Sequence, residues 1–395
     1  MKNKNSFSMK EKDIIYFDNA ATTFKPKRVI DKINDYYNNY SANSHRGDYD
    51  ISFKVDDEID YTRDNVKKFI NAKTKNEIIF TKNTTDSLNT IVFGFFKNYL
   101  CDGDEVILSS SEHASNILPW LMLSLNKNIK IVFVDSVNEK LCLDDLVKKI
   151  TDKTRVISIA QITNVSGDKR DIKKICSIAH AKNILVVVDA AQSAPHIKID
   201  VQDLDCDFLA FSAHKMCGPT GVGVLYGKYN LLKNMIPFTY GGGMNLNYNE
   251  NSLELASIPY RFESGTPNIA GIIGFGETID YLNEIGIDYI ENKVKLLKRY
   301  LLKELESIPY IKIYNKDCEG STVIINIEGI LSGDLGLYLN KNKICVRSGK
   351  HCAKMGDNKE DTVRISLYFY NTYDEIDKLV KVLKDKKSIY EFIKN

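Results

Sequence analysis

Two apolar runs, ILVVVDAAQSAPH (184–196) and DFLAFSAHKMCGPTGVGVLYG (207–227), each lead straight into a charged residue, Asp189 in the first and Lys215 in the second. Continuous apolar runs of this length suit strands buried on both faces of a sheet. In open α/β sheets a ligand binds beyond the carboxyl ends of such strands. An acid at the end of ILVVVD therefore points at a ligand, although taken alone it reads equally as a helix cap or turn former. Gln192 follows three residues later, and FLAFSAH runs directly into Lys215 and then Gly218-Pro219-Thr220-Gly221. A lysine there, flanked by Ser212 and His214, is poorly explained as a solvated charge. Partly desolvated, it is unprotonated often enough to form a Schiff base with an aldehyde.

Working outward, similar runs recur at EIIF (77–80), DEVILSS (104–110), KIVFVDS (130–136) and RVISIAQI (155–162). Between them lie stretches of helical period, such as Leu88, Ile91, Val92, Phe95 and Phe96, or Ile172, Ile175, Cys176 and Ala179. Strands alternating with helices predict an α/β fold around a mostly parallel sheet buried on both faces. Two helices are expected before it: 26–40, with Pro26 in the first turn, and 51–70, with Ile51, Val55, Ile59, Val66 and Ile70 near one face. Gly241-Gly242-Gly243 and RFESGTPN (261–268) break the pattern. Beyond them a long helix (289–307), a strand (STVIINI, 321–327) and a polar helix (373–386) predict a smaller α+β lobe. The expected division is 1–25 as an N-terminal segment packing with the small domain, 26–270 as the large domain and 271–395 as the small one.

At 395 residues the chain is long enough for two or three domains at roughly 150 residues each. Its 43% hydrophobic content suffices for a core without disulfides or metals. With 54 Lys and Arg against 52 Asp and Glu, bulk charge gives no case for nucleic-acid binding. Eight cysteines without close CxxC pairs read as reduced thiols, most of them core fillers, and no metal site is expected. The basic, polar start lacks the apolar stretch of a signal peptide, and no run nears the roughly 18 apolar residues of a membrane span. A cytoplasmic protein with no membrane partner is expected, with Met9 as an alternative start.

The stretch DAAQSAPH…DFLAFSAHKMCGPTGVGVLYG, with YFDNAATT (16–23) and RISLYFYNT (364–372), resembles the fold-type I, class V aminotransferases that use pyridoxal 5′-phosphate (PLP). Within that family the chain is most similar to the SufS/CsdA type of cysteine desulfurase. The resemblance implies that Lys215 carries PLP as a Schiff base and that Asp189 pairs with the pyridinium nitrogen, so that the ring can accept electrons from the substrate α-carbon. It implies Gln192 and Asn164 at the phenolic oxygen and His113 stacked on the ring; alone, His113 reads equally as a polar residue opening a helix. For the phosphate it implies Ser212, His214 and Thr84-Thr85, where a strand gives way to a helix whose N-terminus supplies donors; an ordinary N-cap is compatible with that role. Thr266 is implied to reach the phosphate of a neighbouring subunit, making a homodimer with shared sites, and His45 and Arg46 to lie near the shared entrance.

The choice of reaction is expected from CVRSGKHCAKMGD (345–357). Cys352 stands among Lys350, His351 and Lys354, surroundings that favour a thiolate. By the resemblance, Cys352 attacks the sulfur of L-cysteine and takes it as a persulfide, and L-alanine is released. Arg364 would hold the substrate carboxylate through a bidentate pair, and Arg347 would assist, although a solvated arginine reads as well there. A sulfur-acceptor protein of the SufE or SufU kind would collect the sulfur for iron–sulfur cluster assembly. Selenocysteine lyase activity on L-selenocysteine, or another PLP-dependent transamination or elimination, are the rivals. The chain departs from the usual pattern at Ala114-Ser115, where relatives often have a second histidine, at Lys350 and at Ala213.

Overall fold

The computed structural model describes residues 7–44, 47–351 and 360–394. A short strand β1 (Ile15–Tyr16) precedes helices α1 (Lys27–Asn39) and α2 (Asp50–Phe69). Pro26 is the N-cap of α1, with extended ψ of 148°, rather than a residue of its first turn; its missing N–H costs nothing at either position. In α2, Val55, Ile59 and Val66 are buried and Ile70 follows them inside, but Ile51 is exposed on the first turn, away from the expected face.

Seven strands then form the main sheet: β2 (Ile78–Thr81), β3 (Glu105–Ser109), β4 (Lys130–Val134), β5 (Thr154–Ala160), β6 (Leu185–Asp189), β7 (Phe208–Ser212) and β8 (Gly223–Gly227). Their spatial order is β2-β8-β7-β6-β5-β3-β4. The pairs from β7 to β4 are parallel, and β8 runs antiparallel to both neighbours. The expected mostly parallel sheet is therefore present. Helices α3 (Thr84–Ile91), continued by a π turn over Val92–Phe96, α4 (Ala114–Asn126) and α5 (Ile172–His180) connect its strands.

Every residue of β3, β7 and β8 is buried. The run KIVFVDS departs from the expectation: β4 is an edge strand with Lys130 exposed and only Val134 buried, because no strand among the described residues pairs beyond it.

After the main sheet come a surface hairpin of β9 (Asn245–Asn249) and β10 (Ser252–Leu255), and two helices joined at Gly286, α6 (Ile269–Ile285) and α7 (Ile287–Glu306). A second, antiparallel sheet follows, from β11 (Ile311–Ile313), β12 (Thr322–Ile327), helix α8 (Ser332–Lys341), β13 (Ile344–Cys345), β14 (Arg347–Gly349) and β15 (Thr362–Ser366). Its order is β11-β12-β15-β14, while β13 pairs in parallel with β1, tying the start of the chain to this lobe.

Helix α9 (Tyr373–Lys384) opens on a capping box in which Thr372 and Glu375 each bind the other's backbone N–H. The expected helix 373–386 is broken at Asp385, whose carboxylate accepts Ser388 N–H at 3.0 Å and opens α10 (Lys386–Lys394) instead. Val294, Leu297, Leu301 and Leu305 of α7 and Ile376, Leu379 and Leu383 of α9 join Val323 and Ile325 of β12 in one apolar cluster that continues beneath the main sheet.

Candidate active site

A cavity of about 270 Å³ opens at the carboxyl ends of the parallel strands, where the second sheet leans over the first. Strand β6 delivers Asp189, and β7 delivers Ser212 and, through one 3₁₀ turn, His214 and Lys215. The turn after β2 supplies Asn83, Thr84 and Thr85, the N-cap of α4 is His113, and the loop after β5 supplies Asn164. Gln192 follows Asp189, and from the second sheet come Arg347 on β14 and Arg364 on β15, opposite each other in register. Eleven residues expected from the sequence thus line one cavity. Thr266 does not: it is exposed, and its nearest partner is Asn43 at 3.5 Å. Cys352, His45 and Arg46 lie outside the described residues, but the chain is described up to His351, which lines the cavity.

Asp189 is buried, and its Oδ1 accepts the Ala191 N–H at 2.9 Å. Burial pushes its carboxyl up, while that bond and then the charges of Lys215 and Arg170 pull it down. His113 Nδ1 accepts the Ser115 N–H at 3.1 Å, which leaves the ring proton on Nε2 when the imidazole is neutral. Burial, reinforced by Lys215, Arg364 and Arg347, lowers the His113 pKa to about 4, so the ring is neutral and offers its face rather than a charge at pH 7. Burial likewise lowers His214 to about 4 and His351 to about 3.

At the end of the cavity formed by α3, Asn83 Oδ1 caps the helix through Asp86 N–H at 2.9 Å. Ser212 Oγ meets Thr84 N–H at 2.7 Å and Thr84 Oγ1 at 2.6 Å. This close approach requires Gly223 on β8, since a Cβ there would stand 2.5 Å from Asn83 Cα. At the other end, the Arg364 guanidinium donates to Asn164 O at 2.9 Å and Asp18 Oδ1 at 3.1 Å, which fixes its plane. Asn164 gives its Nδ2 to His351 O at 2.7 Å, while its buried Oδ1 has no hydrogen-bond partner among the described residues.

Three further residues, to which the sequence assigned no role, contribute to the site. Ser115 lies 2.7 Å from Thr85 Oγ1 and 3.0 Å from His113 Nδ1, joining the starts of α3 and α4; its sequence signals were its place two residues after His113 and the departure at Ala114-Ser115 from a second histidine. His351 is held by Thr362 at 2.9 Å, and its signal was adjacency to Cys352. Asp18 belongs to the quoted YFDNAATT motif, but nothing local reveals that it meets Arg364.

Beneath the cavity the buried Glu112 and Arg170 form an ion pair, and Arg170 also reaches Asp168, Ser109 and Ser111. Glu112 Oε2 in turn accepts Ala160 N–H and Asn116 Nδ2, both at 2.8 Å, so the pair fixes the end of β5 and the start of α4. Among the described residues, no group of three or more His, Cys, Asp or Glu side chains is arranged to hold a metal, and no helix is long and apolar enough to cross a membrane.

The aminotransferase class-V family model matches residues 15–379. A probable cysteine desulfurase of Ureaplasma parvum is 42% identical over 381 residues, covering 95% of this chain and 94% of that protein. A probable cysteine desulfurase of Borreliella burgdorferi is 42% identical over 387 residues, covering 94% and 92%. Among solved structures, the apo cysteine desulfurase of Thermococcus onnurineus NA1 superposes with a TM-score of 0.93 at 34% identity, covering 98% of this chain and 97% of that one. The cysteine desulfurase CsdA of Escherichia coli, in an S-sulfonic acid form, gives 0.91 at 31% identity with the same coverage. The chain belongs to the class-V aminotransferase family, among its cysteine desulfurases.

Proposed function

We propose that this protein is a PLP-dependent cysteine desulfurase that converts L-cysteine to L-alanine and a persulfide on Cys352. The observation that carries the reading is the meeting of Lys215, Asp189 and His113 with Arg347 and Arg364 in a single cavity. The side chains fit the cofactor group by group. Lys215 offers an amine for its aldehyde, Asp189 a carboxylate for its ring nitrogen and His113 a neutral ring for its face. Asn164 and Gln192 offer amides for its polar edge, and Asn164 Oδ1 is a buried acceptor without a donor among the described residues. Thr84, Thr85, Ser212 and His214 stand where the helix α3 N-terminus favours a phosphate.

Bound there, PLP supplies an electron sink for charge developing at the substrate α-carbon. The Lys215 amine carries the α-proton, and Asp189 holds the ring nitrogen in its protonated form. Arg364, already oriented by Asp18 and Asn164, grips the substrate carboxylate with help from Arg347. The Cys352 thiolate attacks the substrate sulfur: the S–S bond forms as the carbon–sulfur bond breaks, and the electron pair stays on carbon. One proton then completes the methyl group of alanine, so no external oxidant or reductant is consumed.

The same reading gives a homodimer in which Thr266 reaches the phosphate in the neighbouring subunit's site, with His45 and Arg46 near the shared entrance. It also gives a cytoplasmic setting, a SufE- or SufU-like acceptor, delivery to iron–sulfur cluster assembly, and the domain division 1–25, 26–270 and 271–395. A single turnover with L-cysteine tests the reading, with alanine assayed and any persulfide located by peptide mass spectrometry. Equal yields of alanine and of persulfide on Cys352 are expected. Alanine without a Cys352 adduct would favour lyase chemistry, and a keto acid would favour transamination.

A further inference from the structure

The stretch from Tyr16 to Lys25 contributes little to the cavity lining beyond Ala20 and Ala21, yet four donors from it converge on one atom. The carbonyl oxygen of His214, the residue before Lys215, accepts from Thr23 N–H at 3.1 Å, Thr22 Oγ1 at 3.0 Å, Thr23 Oγ1 at 3.1 Å and Lys25 Nζ at 3.2 Å. A carbonyl oxygen has two lone pairs, so this one is pinned from several directions at once. Lys25 Nζ also binds Thr22 Oγ1 at 2.9 Å and Thr23 O, which makes all of its partners acceptors.

The amine is largely buried, and loss of water lowers its pKa to about 8, opposed by Cys217. The titratable groups around it are Cys217, with Tyr368 behind it, and His214 and Lys215 across the turn. The same strap reaches the rest of the site, since Ala20 O accepts Gln192 Nε2 at 2.8 Å and Asp18 holds Arg364.

We propose that Lys25 is a positioning residue for Lys215, acting through the His214 carbonyl. The His214 carbonyl and the Lys215 N–H share one rigid peptide plane. Fixing the oxygen fixes the axis about which Lys215 leaves the backbone, and hence where its amine stands. A misplacement of about 1 Å at a reacting group costs on the order of 100-fold in rate. Arg364 is also anchored by Asn164 O, outside this strap, so loss of Lys25 should act mainly on Lys215. The proposal rests on the function given above for what Lys215 does.

The test compares holoenzyme carrying Lys25→Met, Lys25→Arg or Thr22→Ala with the parent. Lys25→Met is expected to retain the visible band of bound PLP, lose roughly 10- to 100-fold in kcat and keep the KM for L-cysteine within about twofold. The pH midpoint of the band should also shift upward, because a cation one peptide away is gone. Lys25→Arg, which keeps charge and donors, should recover most of both changes. Thr22→Ala, which removes one of the four donors, should lose several-fold in kcat. A parental kcat and midpoint in Lys25→Met, or a loss confined to KM, would overturn the proposal. If Lys25→Met fails to fold, a parental kcat in Thr22→Ala overturns it instead. A parent that binds no PLP is recognised before any variant is made, and it sinks the functional reading together with this one.

Discussion

Arg364 donates through Nη2 to Asp18 Oδ1 at 3.1 Å, joining two residues 346 positions apart. Asp18 leaves the strap that follows β1, while Arg364 sits buried in the middle of β15. The carboxylate holds the guanidinium from one side and Asn164 O from another. Removing it with Asp18→Ala should loosen the guanidinium that, in the proposed reaction, grips the substrate carboxylate. A hydrogen bond to a charged group is worth about 1.5–3 kcal/mol, so KM for L-cysteine should rise roughly 10- to 100-fold while kcat changes little. Steady-state kinetics checks this, and an unchanged KM would remove Asp18 from the site.

In the proposed reaction Asp189 supplies the negative charge that the PLP ring nitrogen needs. Asp189→Asn keeps the shape and loses the charge. Lys215 should still attach PLP, so the visible band should persist, but kcat should fall on the order of 100-fold or more, as for loss of a preorganised electrostatic group. Full activity in this variant would mean that Asp189 is only a cap for the turn at Ala191.

Cys352→Ala separates the cofactor's chemistry from sulfur transfer. The variant should bind PLP normally and fail to form a persulfide or to pass sulfur to an acceptor. Turnover of L-selenocysteine should survive better than that of L-cysteine, because selenium leaves carbon more readily. Undiminished acceptor-dependent turnover of L-cysteine would reject the role of Cys352.

The Glu112–Arg170 pair is fully buried, so Arg170→Met leaves a carboxylate inside the protein without its partner. Such losses cost about 3–5 kcal/mol. Urea unfolding should show this, and adding Glu112→Gln should recover part of it, because the orphaned charge is then removed. Equal stability of Arg170→Met and the parent would mean that Asp168, Ser109 and Ser111 do not depend on the guanidinium.

His196 is buried against the Tyr368 ring, and burial lowers its pKa to about 4. The unfolded chain binds a proton there near the ordinary value of about 6.5, whereas the folded protein resists it until about pH 4. Between those values the unfolded state holds more protons, so stability falls as pH is lowered. The melting temperature should therefore drop from about pH 6.5 to 4, with a shallower slope in His196→Gln. His113, His214 and His351 have the same sign and would leave a residual slope.

Much of the cavity was legible because its parts sit at the ends of apolar runs. Asp189 and Lys215 stand where β6 and the turn after β7 direct their side chains into the cavity, and a charged residue at the end of a buried strand is a local signal. Ser115 carried no such signal, since a serine in a first turn is ordinary. Lys25 carries no local signal either; only the fold brings it to the His214 carbonyl. The edge position of β4 was hidden for a related reason: an apolar run records that a strand is buried but not which strands flank it.

The order of residues along the chain determined the layered α/β architecture, the strand ends that carry Asp189, Ser212 and Lys215, and the family. Those follow from periodicity and from motifs whose parts lie close in sequence. Tertiary structure alone decided that β8 runs antiparallel beside β7, that Gly223 lets Asn83 approach, and that Asp18 and Lys25 brace Arg364 and the Lys215 turn. Each of those contacts joins residues far apart along the chain, and its energy depends on burial and direction that exist only once the two sheets have packed.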